Sequence, residues 1–94
     1  MNDKKMAAVI AKVQKIETSF CKRDIKFCCR LIRLVKNKNS GIDKTYKRRA
    51  MKVANRRLNY VETFLIRASF LNRQDRKQLK DGSSKLKKML GDMA

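Results

Sequence analysis

The sequence predicts an all-α protein, and three observations carry that prediction. Apolar residues recur at steps of three and four along most of the chain, which places them on one side of a helix. Glycine and proline together number three in 94 residues, fewer than strands joined by tight turns need. Aromatic residues are sparse and tryptophan is absent, so the aromatic and β-branched runs that mark strands are missing. The length fits one domain, residues 1–94. At 43% hydrophobic its core is small, and self-association would help to stabilise it.

The elements follow in order. In the first segment Met6, Val9, Ile10, Val13 and Ile16 form an amphipathic stripe with lysines opposite, which predicts a helix near 3–17. Thr18 and Ser19 are candidate caps, so a break or bend is expected before a second helix near 22–37. There Ile25, Cys28, Cys29, Ile32 and Val35 make one stripe, and Phe27, Leu31 and Leu34 nearly close the ring. A helix apolar over most of its girth is central in a bundle or shared with another subunit. Phe27, Leu31 and Leu34 are therefore candidate oligomer-interface residues, with core filling as the competing role. "NKNSGID" is a loop ending in Asp43, a candidate N-cap. A long third helix near 43–70 follows, on Ala50, Met51, Ala54, Leu58, Val61, Leu65 and Ala68. Asn72 caps a last helix near 73–91, with Asp75 three residues on. Gly82 costs about 1 kcal/mol inside that helix. Leu79, Gly82, Ser83, Leu86 and Leu90 nevertheless keep one continuous face, which suits a close approach between helices. The expected architecture is an up-and-down four-helix bundle that oligomerises. The alternative merges the first two helices into one and leaves three.

Charge narrows the function classes. The chain carries 26 basic and 8 acidic residues, a net +18, where a small soluble domain usually carries about 2–8 charges of one sign. The excess runs through the whole chain: residues 22–38 hold seven bases against one acid, and 44–57 hold seven against none. Such a surface calls for a polyanion, nucleic acid first and an anionic membrane second. In "YKRRAMKVANRRLNY", residues 46–60, Arg48, Lys52 and Arg56 step by four on the face opposite the apolar stripe, flanked by Arg49 and Arg57. Like charges at that spacing cost roughly 0.2–0.5 kcal/mol per pair, and a merely solvated face usually interleaves Glu. These five residues are the candidate phosphate-binding face, extended by Arg30 and Arg33 of the second helix and by Lys87 and Lys88 near the end. The competing reading is a solvated face. Tyr46 and Tyr60 are candidates for stacking on bases.

Catalysis is not expected. The chain has no histidine, its acids are scattered singly, and its three glycines stand alone. No acid–base pair, metal set, phosphate loop or activated nucleophile can be assembled from these residues. Cys21, Cys28 and Cys29 are too few for a zinc site without histidine, and are expected to be small buried hydrophobes in a reducing compartment. No cofactor is expected. No apolar run approaches the ~20 residues of a membrane span, and the start does not resemble a signal peptide. A cytosolic location is expected.

From about Ile42 onward the chain resembles the accessory variability proteins of diversity-generating retroelements, a four-helix-bundle family that includes proteins encoded in ribosomal RNA intervening sequences. The likeness lies in the long Arg- and Leu-rich helix "KVANRRLNYVETFLIRASFLN", followed by a short capped turn and a helix ending "SSKLKKMLGDMA". Lys87, Lys88, Met89, Leu90 and Gly91 match the places of a Gly-Arg-Met-Leu-Gly-Gly-like ending. "FCKRD" at 20–24 echoes a Phe-Pro-Lys element with Cys21 in the place of proline, and Asp92 replaces the second closing glycine. The resemblance implies a ring, a pentamer, that partners a reverse transcriptase and binds its template RNA during mutagenic complementary-DNA synthesis. The alternatives are a general RNA- or DNA-binding or ribosome-associated helical protein with no reverse transcriptase, and a membrane-binding basic amphipathic helix.

Overall fold

The computed structural model describes residues 3–37, 41 and 43–93. Within them the chain forms three α-helices: α1 (Asp3–Lys36), α2 (Lys44–Arg67) and α3 (Arg73–Met93). The all-helical class is as expected, but the four helices are corrected to three. α1 runs without interruption through residues 18–23, where a break was expected. Nothing between Glu17 and Asp24 stops a helix, because neither Gly nor Pro occurs there. Thr18 does not cap a new helix. It is buried, and its hydroxyl donates to the Gln14 carbonyl at 2.8 Å, the bond by which Thr settles inside a helix.

The other boundaries form as the capping residues dictate. Asp43 caps α2, its carboxylate accepting the Tyr46 amide at 3.1 Å. Asn72 caps α3 by accepting the Asp75 amide at 2.7 Å. Of the expected loop at 37–43, Asn37, Gly41 and Asp43 are described and non-helical, with Gly41 at φ 70°; Lys38, Asn39, Ser40 and Ile42 lie outside the described residues. α2 stops at Arg67, short of the expected 70. Arg76 takes up carbonyls at that end, donating to Leu65 at 3.1 Å and to Ala68 at 2.6 Å, which satisfies groups the helix leaves open. Phe64 and Phe70 pack edge to face across this turn, 5.8 Å between centroids.

Ion pairs set the direction of the helices. Lys22 meets Asp75 at 2.6 Å and Lys36 reaches Asp92 at 3.7 Å, so α1 and α3 run in the same direction. Asp24 of α1 meets Arg57 of α2 at 2.9 Å, while Glu17 sits by Thr63 and Arg67 near the α2 C-terminus. α2 therefore returns antiparallel, and the order is up, down, up. The core is built from Cys21, Ile25, Cys28 and Ile32 of α1, Ala54, Leu58 and Val61 of α2, and Leu79, Leu86 and Leu90 of α3. Gly82 lies within an unbroken α3. A Cβ there would stand 2.7 Å from Ile25 Cγ2, so the small residue does serve close approach between helices.

The three helices differ in length, and that shapes the molecule. At 1.5 Å per residue α1 is about 51 Å long and α2 about 36 Å. The turn between α2 and α3, at Phe70, Leu71 and Asn72, lies beside Gln14, Thr18 and Lys22 of α1. The N-terminal turns of α1 accordingly project past the bundle as an arm. The extents are 57 × 23 × 17 Å and the radius of gyration is 16.2 Å, against about 12 Å for a compact chain of this length.

Candidate nucleic-acid interface

The basic residues are sorted by the helix packing into separate faces. Along α2 the buried residues Ala50, Ala54, Leu58, Val61 and Leu65 turn inward. Arg48, Lys52 and Arg56 fall on the opposite side and are exposed, forming an outer ridge with cations one turn apart. This much matches the expectation. Arg57 does not join the ridge. Its guanidinium donates to Asp24 at 2.9 Å and stacks 4.7 Å from the centroid of the Phe27 ring, so its charge is committed to holding α2 against α1. Arg49 is exposed but borders a shallow apolar groove between α1 and α2, with Leu31, Val35, Tyr46, Ala50 and Val53.

Arg30 and Arg33 lie elsewhere. They line a cavity of about 260 Å³ between α1 and α3, together with Lys22, Lys26 and Lys85. Ile25, Cys29, Leu79 and Gly82 also line this groove, and Gln78 adds an amide. Because α2 packs against both α1 and α3, the α1/α3 groove opens away from α2, across the bundle from the outer ridge. The nine sequence-predicted residues thus form no single surface. Lys87 and Lys88 are both exposed on α3 and do not line the groove.

The groove is the more concentrated of the two faces. Lys22, Lys26, Arg30 and Arg33 step by four, four and three along one edge of α1, and Lys85 faces them from α3. Of these five, Lys22 alone has an ion-pair partner among the described residues, namely Asp75. Four cations, all exposed, remain without an ion-pair partner among the described residues around a cleft with an apolar floor. Such an arrangement raises the local positive potential and attracts any anion able to enter. Sequence reasoning missed Lys22, Lys26 and Lys85. The step-of-four run from Lys22 to Arg33 was a readable signal, whereas Lys85 joins it only through the packing of α3 on α1.

The cysteines are closed off. Cys21, Cys28 and Cys29 are buried free thiols. Burial, then the nearby Asp24 and Glu17 carboxylates, push the Cys21 thiol from its ordinary value of 9.0 to about 11. Burial also raises Cys28, against an opposing pull from Arg57. Thiols held protonated in this way are poor nucleophiles. Among the described residues no cluster of three or more His, Cys, Asp or Glu could hold a metal ion. No helix among them is long and apolar enough to cross a membrane. The candidate interface residues Phe27 and Leu34 are exposed, while Leu31 is half-buried against the core.

Compared with known protein families, curated proteins and solved structures, the chain matches none.

Proposed function

We propose that the protein is a non-enzymatic nucleic-acid-binding protein that holds a phosphate backbone in the α1/α3 groove and along the outer ridge of α2. The observation that carries this reading is the convergence of Lys26, Arg30, Arg33 and Lys85 on one cleft with no carboxylate paired to any of them among the described residues. A folded chain gains nothing from that clustering, since each uncompensated neighbour costs stability. A polyanion reverses the sign of the interaction. Lys22 to Arg33 spans about 17 Å at 1.5 Å per residue, room for a short run of backbone. Contacts of this type position a strand and carry little sequence information. RNA is favoured over a purely generic polyanion by the retroelement resemblance of residues 42–94. That resemblance also supplies a reverse transcriptase as protein partner and a homo-oligomeric ring. The partner and the ring rest on the sequence likeness alone, and a three-helix chain departs from the family's four-helix plan.

The test uses two triple variants, Lys26→Gln/Arg30→Gln/Arg33→Gln and Arg48→Gln/Lys52→Gln/Arg56→Gln. Gln keeps the helix propensity of Lys and Arg, so folding should be unaffected. Fluorescence anisotropy on single-stranded and hairpin RNA of unrelated sequences should show weaker binding for both variants. Each should also flatten the dependence of log affinity on log salt by two to three, about one per contact removed. Unchanged slopes in both would leave two solvated faces and end the proposal. Co-purification with a reverse transcriptase encoded beside the gene tests the retroelement reading separately.

A further inference from the structure

We infer that the projecting arm of α1 is a self-association element, the strand of a parallel two-stranded coiled coil with a second copy of this chain. The inference is independent of what the basic faces hold.

The arm presents an apolar seam that the chain itself does not cover. Met6, Val9, Val13, Ile16 and Phe20 recur at alternating steps of three and four. Each is 47–56% exposed. That alternation is the heptad spacing at which two helices wind around each other and each apolar side chain enters a hole on its partner. The seam is distinct from the stripe by which α1 enters its own core. The inward stripe is Thr18, Cys21, Ile25, Cys28, Ile32 and Val35, set on another side of the same helix. The seam also has an end. Beyond Phe20 the same spacing runs through Arg23, Phe27, Arg30 and Leu34. Phe27 and Leu34 are exposed, but the two arginines break the apolar run, and Arg57 stacks on one face of Phe27. The continuous apolar seam therefore ends at Phe20.

Charge and area point to the occupant. Residues 3–20 hold four lysines and two acids, a net +2 of the chain's +18, so the arm carries little of the charge that would draw a polyanion. The positions flanking the seam are Lys5, Lys12 and Ser19 on one side and Asp3, Ile10 and Glu17 on the other. In a parallel pair these two sides face each other, which sets Lys12 of each copy towards Glu17 of the other, on the side where Glu17 also lies by Thr63 and Arg67 of its own chain. An antiparallel pair would instead set lysine rows together. Half-exposure of the seam residues and Ile10 corresponds to roughly 500 Å² per copy, so a symmetric pair buries about 1,000 Å², near the lower bound for a specific interface. The projecting turns of α1, roughly ten residues from Asp3, are also marginal alone in water, and a partner helix would secure them.

Sedimentation of the intact protein at tens to hundreds of micromolar should show a dimer, in place of the pentameric ring that the retroelement likeness implies. Val13→Lys/Ile16→Lys should raise the dimer dissociation constant by about a hundredfold or more, tenfold for each charge set in the seam. It should leave the thermal transition of the bundle in place, because these side chains make no contribution to its core. Val9→Cys should give a disulfide-linked dimer on mild oxidation, since parallel strands bring the two positions together. An antiparallel overlap centred on Val13 would hold them about 12 Å apart along the axis. Lys12→Glu should weaken the dimer, and Lys12→Glu/Glu17→Lys should restore it. A monomer at hundreds of micromolar overturns the inference. So does a dimer that survives Val13→Lys/Ile16→Lys, or a monomer that those substitutions release from phosphatidylglycerol vesicles, which would assign the seam to a lipid surface.

Discussion

Arg56 and Arg57 are neighbours of identical chemistry, and the fold gives them opposite tasks. Arg56 points outward from α2, while Arg57 pairs with Asp24 and covers Phe27. Arg56→Ala should weaken RNA binding and leave the melting temperature unchanged. Arg57→Ala should cost about 1 kcal/mol of stability, the sum expected of a partly exposed ion pair and a cation–π contact, with little change in the salt slope of binding. Thermal melts and anisotropy titrations on the two variants check this. The cysteines give a second prediction. Cys21 titrates near 9.0 when unfolded and is raised to about 11 in the fold. Between those values the unfolded chain releases the proton that the folded chain retains, so stability is intact below pH 9 and declines from pH 9 towards 11. Across that range the urea midpoint of the protein should fall relative to that of Cys21→Ala, which lacks this contribution. Below pH 9 the three thiols should resist a bulky disulfide reagent until the protein is unfolded.

At the scale of the element, α1 and α3 each carry a feature that the sequence presents ambiguously. Thr18 and Ser19 resemble a cap, yet a cap requires the backbone to leave helical geometry. No residue nearby forces it to, and burial of Thr18 and Cys21 in the same stripe holds the helix straight. Gly82 resembles an interruption, yet the contact with Ile25 is what its lack of a side chain permits. Ala would gain about 1 kcal/mol in helix propensity. Against this, Ile25 is β-branched and stiff in a helix, so overpacking at this contact costs about 1–3 kcal/mol. Gly82→Ala should therefore lower the melting temperature, and the loss it causes should shrink when measured in an Ile25→Ala background, although Ile25→Ala itself costs about 2–5 kcal/mol. A rise in melting temperature with Gly82→Ala alone would show that the two helices are free to separate there.

At the scale of the whole molecule, a net charge of +18 on 94 residues with three ion pairs among the described residues means that the bundle folds against its own repulsion. Salt screens that repulsion, with a Debye length of about 10 Å at 0.1 M. Raising sodium chloride from 50 to 500 mM should therefore raise the melting temperature by several degrees. The same change should weaken RNA binding by orders of magnitude. Calorimetry and anisotropy run on one salt series should move in opposite directions. Stability that is flat or falling over this range would mean that the cations are already compensated within the fold.

The sequence by itself determined the helical class, the caps at Asp43 and Asn72, most of the core, and the ridge of Arg48, Lys52 and Arg56. Each of these follows from local hydrogen bonding or from the period of one helix, which depends only on residues a few positions apart. Only the tertiary structure decided that Arg57 is withdrawn from the basic surface and that Lys85 joins Lys26, Arg30 and Arg33 around one cleft. It also decided that Met6, Val9, Val13, Ile16 and Phe20 are left half-exposed. Those outcomes depend on how far one helix extends past another and on which side chains meet across a groove. Contacts between residues some thirty to fifty positions apart set them, and no periodicity within a single helix encodes them.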